Sequence, residues 1–357
     1  MKTADVPPFP ALEQNLTCDV CVVGAGIAGI STAYLLSREG KSVVVLDDGQ
    51  IAAGETERTT AHLTNAFDDR YCMMEKLHGE RGAQLIADSH TTAIARIEAN
   101  VLEEKIECNF QRLDGFLFVP NGQSKNILDD ELAACHRAGL MDVEWVDRAP
   151  FDHFDTGSCL RFARQAQFHP LKYISALAEA ITRDGGKIFC GTHVENIESG
   201  TPTSVTTDAG KVVHAAHLVV ATNSPVNDKV AIHTKQAPYR TYVIGARIPR
   251  GSVRKALYWD TMNPYHYLRL QTKLTESGES AYDVLIVGGE DHKTGQPSEL
   301  GAPFQNLEKW MREHFPMIEG IEFRWSGQVM EPVDGVAFIG RNPLDSDNVY
   351  ICTGDSG

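Results

Sequence analysis

The chain has 357 residues, 42% of them apolar, and a formal charge of −15 from 48 acidic and 33 basic side chains. That suits a globular protein with a sizeable core, held in two domains or in one with a large insertion. The acidic balance, with no Lys/Arg cluster against it, argues against a nucleic-acid partner, and no long apolar run marks an integral membrane segment. The N-terminal arm lacks the apolar core of a signal peptide, so a cytoplasmic location is expected.

The strongest pattern comes first along the chain. An apolar strand, Val20–Val23, runs into Gly24-x-Gly26-x-x-Gly29, a helix-compatible segment closed by Gly40, and a second apolar strand ending on Asp47. Gly24 allows a tight turn, Gly26 lets backbone approach a pyrophosphate, and Gly29 lets helix and strand pack closely. The helix N-terminus offers N–H groups and positive dipole to the diphosphate. Asp47 stands where a carboxylate accepts from ribose hydroxyls. These parts together predict a dinucleotide-binding βαβ unit, with FAD and NAD both open at this point. Cys18 and Cys21 make a C-x-x-C pair inside the first strand, where residues three apart point to opposite faces. No second pair completes a zinc or iron–sulfur set, so no metal site is expected and the eight cysteines read as small hydrophobes.

A polar, Thr-rich segment (54–64) follows, then a helical pattern over 72–103. Ile106–Gln111 and Gly115–Val119 read as paired strands, Asp129–Ala138 as a helix and Val143–Val146 as a strand. A helix is predicted from His169-Pro170 to Arg183, then strands at Lys187–Cys190 and Thr192–Ile197, a hairpin of Ser204–Thr207 with Lys211–Val213, and a buried strand His217–Thr222. Tyr239 to Gly289 is strand-rich, Pro303–Phe315 is helical, and Gly327–Glu331 and Asn348–Cys352 close the described pattern as strands. The order predicts an α/β fold in which a nucleotide-binding domain (1–103, 166–226, 327–357) is interleaved with a β-rich antiparallel substrate domain (104–165, 227–326).

The segments DVCVVGAGIAGISTAYLLSREGKSVVVLD, GETERTTAHLT, FHPLKYISALAEAITRDGGKIFCGTHVENIE and HAAHLVVATNSP together resemble the FAD-dependent oxidoreductases of the D-amino-acid oxidase, glycine oxidase and sarcosine oxidase superfamily. The resemblance spans nearly the whole chain and implies a Rossmann-like FAD-binding domain of three-layer β-β-α character. YWDTMNPYHYLRL, VGGEDHKTGQ, WSGQVMEPVDGVAFIGRNP and ICTGDSG are similar to a narrower subgroup whose members commonly carry a C-terminal Rieske [2Fe–2S] domain. Neither Rieske Cys/His pair is present, and the family's last flavin-facing helix would follow Gly357. The resemblance therefore implies a C-terminally truncated chain, whose own activity and FAD retention stay open.

Carried over by match, Gly24, Gly26 and Gly29 would meet the FAD diphosphate, and Asp47 the adenosine ribose. Asp48 is either a second ribose contact or a solvated strand-end acid. Arg58, Thr59 and Thr60 would line the diphosphate and flavin edge. Ala61, His62 and Leu63 would pass beside the isoalloxazine, with His62 a flavin contact or a structural residue. The Val194 backbone would meet the adenine, Ala221 and Thr222 would close over the cofactor, and Gly354 and Asp355 would form the final flavin loop. Catalysis would be hydride transfer to flavin N5, with the protein binding and orienting. Tyr265, Tyr267 and Arg269 alternate onto one strand face, leaving His266 and Leu268 on the other. Arg269 would then clamp a carboxylate beside the tyrosines, and His292 would serve as acid/base; the alternative is that all are packing residues. The expected substrate is an amine or amino acid, with electrons passing to a Rieske partner or oxygen. A hydroxy-acid substrate and a non-catalytic FAD-binding module are the alternatives.

Overall fold

The computed structural model describes residues 4–120, 124–224, 226, 232–274, 280–296, 301–343 and 345–354. The chain opens with β1 (Leu16–Val23), α1 (Ile27–Arg38) and β2 (Val43–Leu46). A short helical turn at Glu55–Arg58 leads to β3 (His62–Leu63) and the long α2 (Tyr71–Glu103). Then come β4 (Gln111–Phe118), α3 (Asn126–Arg137), β5 (Glu144–Val146) and β6 (Cys159–Gln167). Next are α4 (Pro170–Arg183), β7 (Lys187–Phe189), β8 (Val194–Glu198), β9 (Thr203–Thr207) and β10 (Val212–Asn223). The remainder is β11 (Gln236–Ile248), β12 (Leu257–Asp260), β13 (His266–Leu274), β14 (Ser280–Lys293), α5 (Ala302–His314), β15 (Gly320–Pro332), β16 (Phe338–Arg341) and β17 (Val349–Thr353).

Two sheets organise these elements. The first runs β16-β17-β10-β1-β2-β7, parallel apart from the β16 edge, as the fully buried apolar runs of β1 and β2 require. On one face α1 and α4 bury Ile30, Ala33, Leu177 and Ile181 at helical spacing. On the other, β8 and β9 continue off β10 and close over Val205, Val213 and Leu218. The result is a three-layer β-β-α arrangement. The second sheet runs β15-β11-β14-β13-β12-β4-β6-β3 and is mostly antiparallel. Helix α5 covers one of its faces with Leu307 and Met311. There His266 is fixed between Asp260, 2.9 Å from its Nδ1, and the Trp310 ring, stacked at 4.3 Å.

Several elements differ from the sequence expectation. Residues 111–118 form one strand, β4, between β6 and β12 rather than half of a local hairpin. β6 carries charged and polar residues along its length and gives no clean alternation to read. β15 begins at Gly320, ahead of the expected strand start at Gly327, and pairs along β11 with a register shift at Gly245/Ala246. Cys18 and Cys21 do not separate to opposite layers; both join the same apolar cluster as free thiols. Burial pushes Cys18 up to about 11 and Cys21 well upward, the opposite of an activated pair.

Candidate active site

The glycine turn lies where β1 meets α1. A Cβ at Gly29 would stand 1.8 Å from the Gly24 carbonyl oxygen, and one at Gly24 would stand 2.3 Å from that of Ala221. Gly24 also holds φ +105, a conformation that L side chains rarely adopt. α1 starts at Gly26 with no side-chain cap; the Thr56 hydroxyl accepts from Ile27 N–H at 3.1 Å. A helix start whose N-cap glycine supplies no side-chain acceptor, beside a backbone held this close, is what an anionic diphosphate needs. Asp47 accepts from Ala25 N–H at 2.6 Å and Gly49 N–H at 2.8 Å, fixing the glycine turn to the end of β2. Burial raises its pKa, and the two N–H groups work against that rise. The residues present fit a dinucleotide.

The Thr-rich segment crosses from the first sheet to the second. Arg58 pairs with Glu55 at 3.0 Å, and its carbonyl accepts from the Trp325 indole at 2.7 Å. Thr59 accepts from Ala61 N–H at 3.1 Å, turning the chain through Ala61 at φ +60. His62 and Leu63 then pair with Gln167 and Ala166. The Thr60 carbonyl accepts from Arg269 Nε, while Arg269 Nη1 reaches the amide oxygens of Gln167 and Gln271, both at 3.4 Å. Arg269 is thus a buried cation held by neutral groups, with burial drawing it down to about 10. His62 lies edge-on to the Tyr267 ring at 5.3 Å. Burial, then the Arg269 charge, lowers it to about 3, so it is a neutral imidazole. Nε2–H donates to the Leu268 carbonyl at 3.4 Å, which leaves Nδ1 to accept from Thr60 Oγ1 at 3.1 Å.

The other expected residues fall in different places. Asp48 is exposed, 3.8 Å from His193. Val194 opens β8 opposite Thr207. Ala221 backs the Gly24 turn, and Thr222 donates to the Ser224 carbonyl at 2.6 Å. Gly354, at φ +77, packs against Pro332 and Gln236; Asp355 lies outside the described residues. Tyr267 and Arg269 share the face toward Thr60 and His62, whereas Leu268 packs under α5. His292 is on the α5 side, stacked on Tyr242 at 5.5 Å, and Tyr242 in turn meets Phe304.

Sequence reading passed over a group of acids on the Tyr267 side. Asp68 and Asp69 come from the loop ahead of α2, Asp291 from β14 and Glu331 from β15. Asp68 is exposed at the surface of this loop; crowding by protein, then the Asp69 and Asp291 charges, raises it to about 7. Glu331 is pushed to about 7 by burial and then by Asp68, Asp69 and Asp291, and Asp291 to about 6 by burial. The loop carrying Asp68 and Asp69 is anchored from both sides. Gln165 accepts from Asn65 N–H at 2.7 Å, and Glu131 accepts from the first α2 N–H groups, Tyr71 at 2.9 Å and Cys72 at 3.0 Å.

Residues 19–357 match the family model described as FAD dependent oxidoreductase. The chain belongs to the FAD-dependent oxidoreductases. It is 29% identical over 353 residues to the putative Rieske 2Fe-2S iron-sulfur protein YhfW of Bacillus subtilis, covering 99% of this chain and 67% of that one. It is 27% identical to gamma-glutamylputrescine oxidoreductase of Escherichia coli, over 98% of this chain and 82% of the relative. The glycine oxidase structure from Geobacillus kaustophilus superposes with a TM-score of 0.74 at 16% identity, over 95% of this chain and 90% of that one. This FAD-dependent oxidoreductase is therefore an enzyme, and FAD rather than NAD is its cofactor. Among the described residues no helix is long and apolar enough to cross a membrane.

Proposed function

We propose that this oxidoreductase oxidises the C–N bond of a small amine and passes the electrons to an iron–sulfur acceptor or oxygen. The observation that carries the reading is a continuous path from the Gly24–Gly29 cradle, through Thr59–His62, to the Tyr265–Tyr267 wall of the second sheet. We also take the cofactor and substrate units to follow the first and second sheets. The names of the two relatives support the electron route and the amine: one is named a putative Rieske 2Fe-2S iron–sulfur protein, the other an oxidoreductase of gamma-glutamylputrescine.

Gly24, Gly26, Gly29, Thr56 and the start of α1 would hold the FAD diphosphate, and Asp47 the adenosine end. Bound there, FAD supplies the hydride acceptor at flavin N5. Arg269 fixes the Thr60 carbonyl and, through it, the turn at Ala61. His62, neutral and engaged at both nitrogens, holds shape without exchanging protons in the working pH range. Tyr265 and Tyr267 form an aromatic wall, their rings 5.7 Å apart. Their ionisation is pushed far above its usual range by burial, so they donate and accept hydrogen bonds as phenols. The test is anaerobic mixing of the FAD-loaded protein with amines and hydroxy acids. The reading expects an amine to bleach the flavin and hydroxy acids to leave it oxidised.

A further inference from the structure

We propose that Gln236 donates a hydrogen bond from its side-chain amide to the flavin ring of bound FAD. This rests on the cofactor placement given above and adds to it a contact from the second sheet. Gln236 opens β11, yet its side chain reaches back to the first sheet. Its Oε1 lies 3.2 Å from the Thr353 hydroxyl, which also donates to the Asn223 carbonyl. Asn223 and Thr353 are paired residues at the carboxyl ends of the parallel strands β10 and β17. Gly24 follows the carboxyl end of β1, and Ala221 of β10 backs its turn. One edge of one parallel sheet therefore carries both the glycine turn and Gln236. Ligands of open α/β sheets lie outside that edge.

The strand order along this edge, β17-β10-β1-β2, gives the direction. Asp47, just past the end of β2, takes the adenosine side, and the Gly24–Gly29 turn after β1 takes the diphosphate. The flavin half is left to β10 and β17, where the Gln236 amide lies.

A second observation is independent of position. Gln236 is only 7% exposed, and its Nε2 is shielded from solvent with no acceptor. A buried donor without a partner is unusual in a folded protein and costs free energy. Gly354 closes on the same amide at φ +77; a Cβ there would stand 2.9 Å from Pro332 and 3.2 Å from Gln236 Oε1. The amide is thus held at its oxygen and open at its nitrogen. A flavin ring offers carbonyl oxygens and ring nitrogens as acceptors, and it gains negative charge on reduction. A fixed N–H donor serves it in both states without titrating.

Two substitutions separate the open end of the amide from the held one. Gln236→Glu keeps an oxygen toward Thr353 and replaces the N–H donors with a second oxygen, whereas Gln236→Leu removes both ends. The full chain, stripped of FAD, is titrated with FAD in alkaline buffer, and the visible spectrum of the bound flavin is recorded. Both variants should bind FAD roughly 10-fold more weakly than the parent and shift its visible bands. Without FAD, Gln236→Leu should melt no lower than the parent, because the unpaired buried donor is gone. Parent-like FAD affinity in Gln236→Glu would show that the residue only braces Thr353, and would overturn the proposal. So would a Gln236→Leu variant that melts lower without FAD yet binds it as the parent does. Gly29→Ala, titrated alongside, tests the placement itself. Loss of FAD there with none at Gln236 would leave the placement standing and sink this contact; the opposite pattern would sink the placement.

Discussion

The Cβ position of Gly29 lies 1.8 Å from the carbonyl oxygen of Gly24, so α1 can seat itself against β1 only if residue 29 has no side chain. Gly29→Ala should push α1 off the sheet and abolish FAD retention. Gly320→Ala, where a Cβ meets nothing within 4 Å, should leave it unchanged. The flavin-to-protein absorbance ratio after gel filtration reads both. Equal FAD retention by the two variants would mean that the cradle does not depend on this contact.

Glu131 is almost fully buried, and both carboxylate oxygens accept from the N-terminal N–H groups of α2. Removing it leaves Tyr71 and Cys72 without an acceptor at the positive end of a helix. Glu131→Ala should lower stability by about 2–3 kcal/mol, while Glu131→Gln, which keeps one acceptor, should lose about half of that. Denaturant melts of the two variants give the comparison, and an Ala variant as stable as the parent would contradict the capping role.

Glu331 and Asp291 hold their protons up to about 7 and about 6, against ordinary values of 4.5 and 3.8. The folded state therefore keeps protons that the unfolded chain has already released. Their contribution to stability is present below the ordinary values and is lost as pH rises through 6 to 7. Glu331→Gln and Asp291→Asn should melt higher than the parent at alkaline pH, by roughly 2 °C, with the gap closing in acid. Variants that melt lower than the parent in alkali would show that these carboxylates are stabilised as anions.

The His62 imidazole should stay neutral throughout the range in which the protein is folded, protonated at Nε2 and accepting at Nδ1. Nitrogen-15 NMR of labelled histidine reports the tautomer directly. Arg269→Gln should raise the pKa of His62, because the Arg269 charge adds to burial in lowering it, yet burial should keep it below an exposed histidine. A parent titration midpoint near ~6.5 would contradict this environment.

The cradle was legible in the sequence because its constraints are local. Val20–Asp47 carries the strand, the glycines and the acid within one supersecondary unit, and each residue type has one mechanical reason to be there. Alternation along β13 also placed Tyr267 and Leu268 on opposite faces. The electrostatic coupling of Asp68, Asp291 and Glu331 was not legible. Asp68, Asp291 and Glu331 lie far apart in the chain, and only the pairing of β11 with β14 and β15 brings the last two together. The same segment that drew attention to His292 contains Asp291 one residue earlier. Gly289 at φ +139 and Glu290 at φ +58 form a bulge where the register of β14 with β11 shifts, so face assignments cannot be carried across from Val287. Arg269 read as a clamp because a charged residue on a strand face looks outward; its partners Thr60 and Gln167 come from other elements.

Anaerobic titration of the FAD-loaded protein with a set of small amines and their matched hydroxy compounds, followed by flavin absorbance, tests the central claim most directly. Amine oxidation predicts full bleaching by an amine, with its matched hydroxy compound leaving the flavin oxidised. Bleaching by a hydroxy compound while every amine leaves the spectrum untouched would contradict the account.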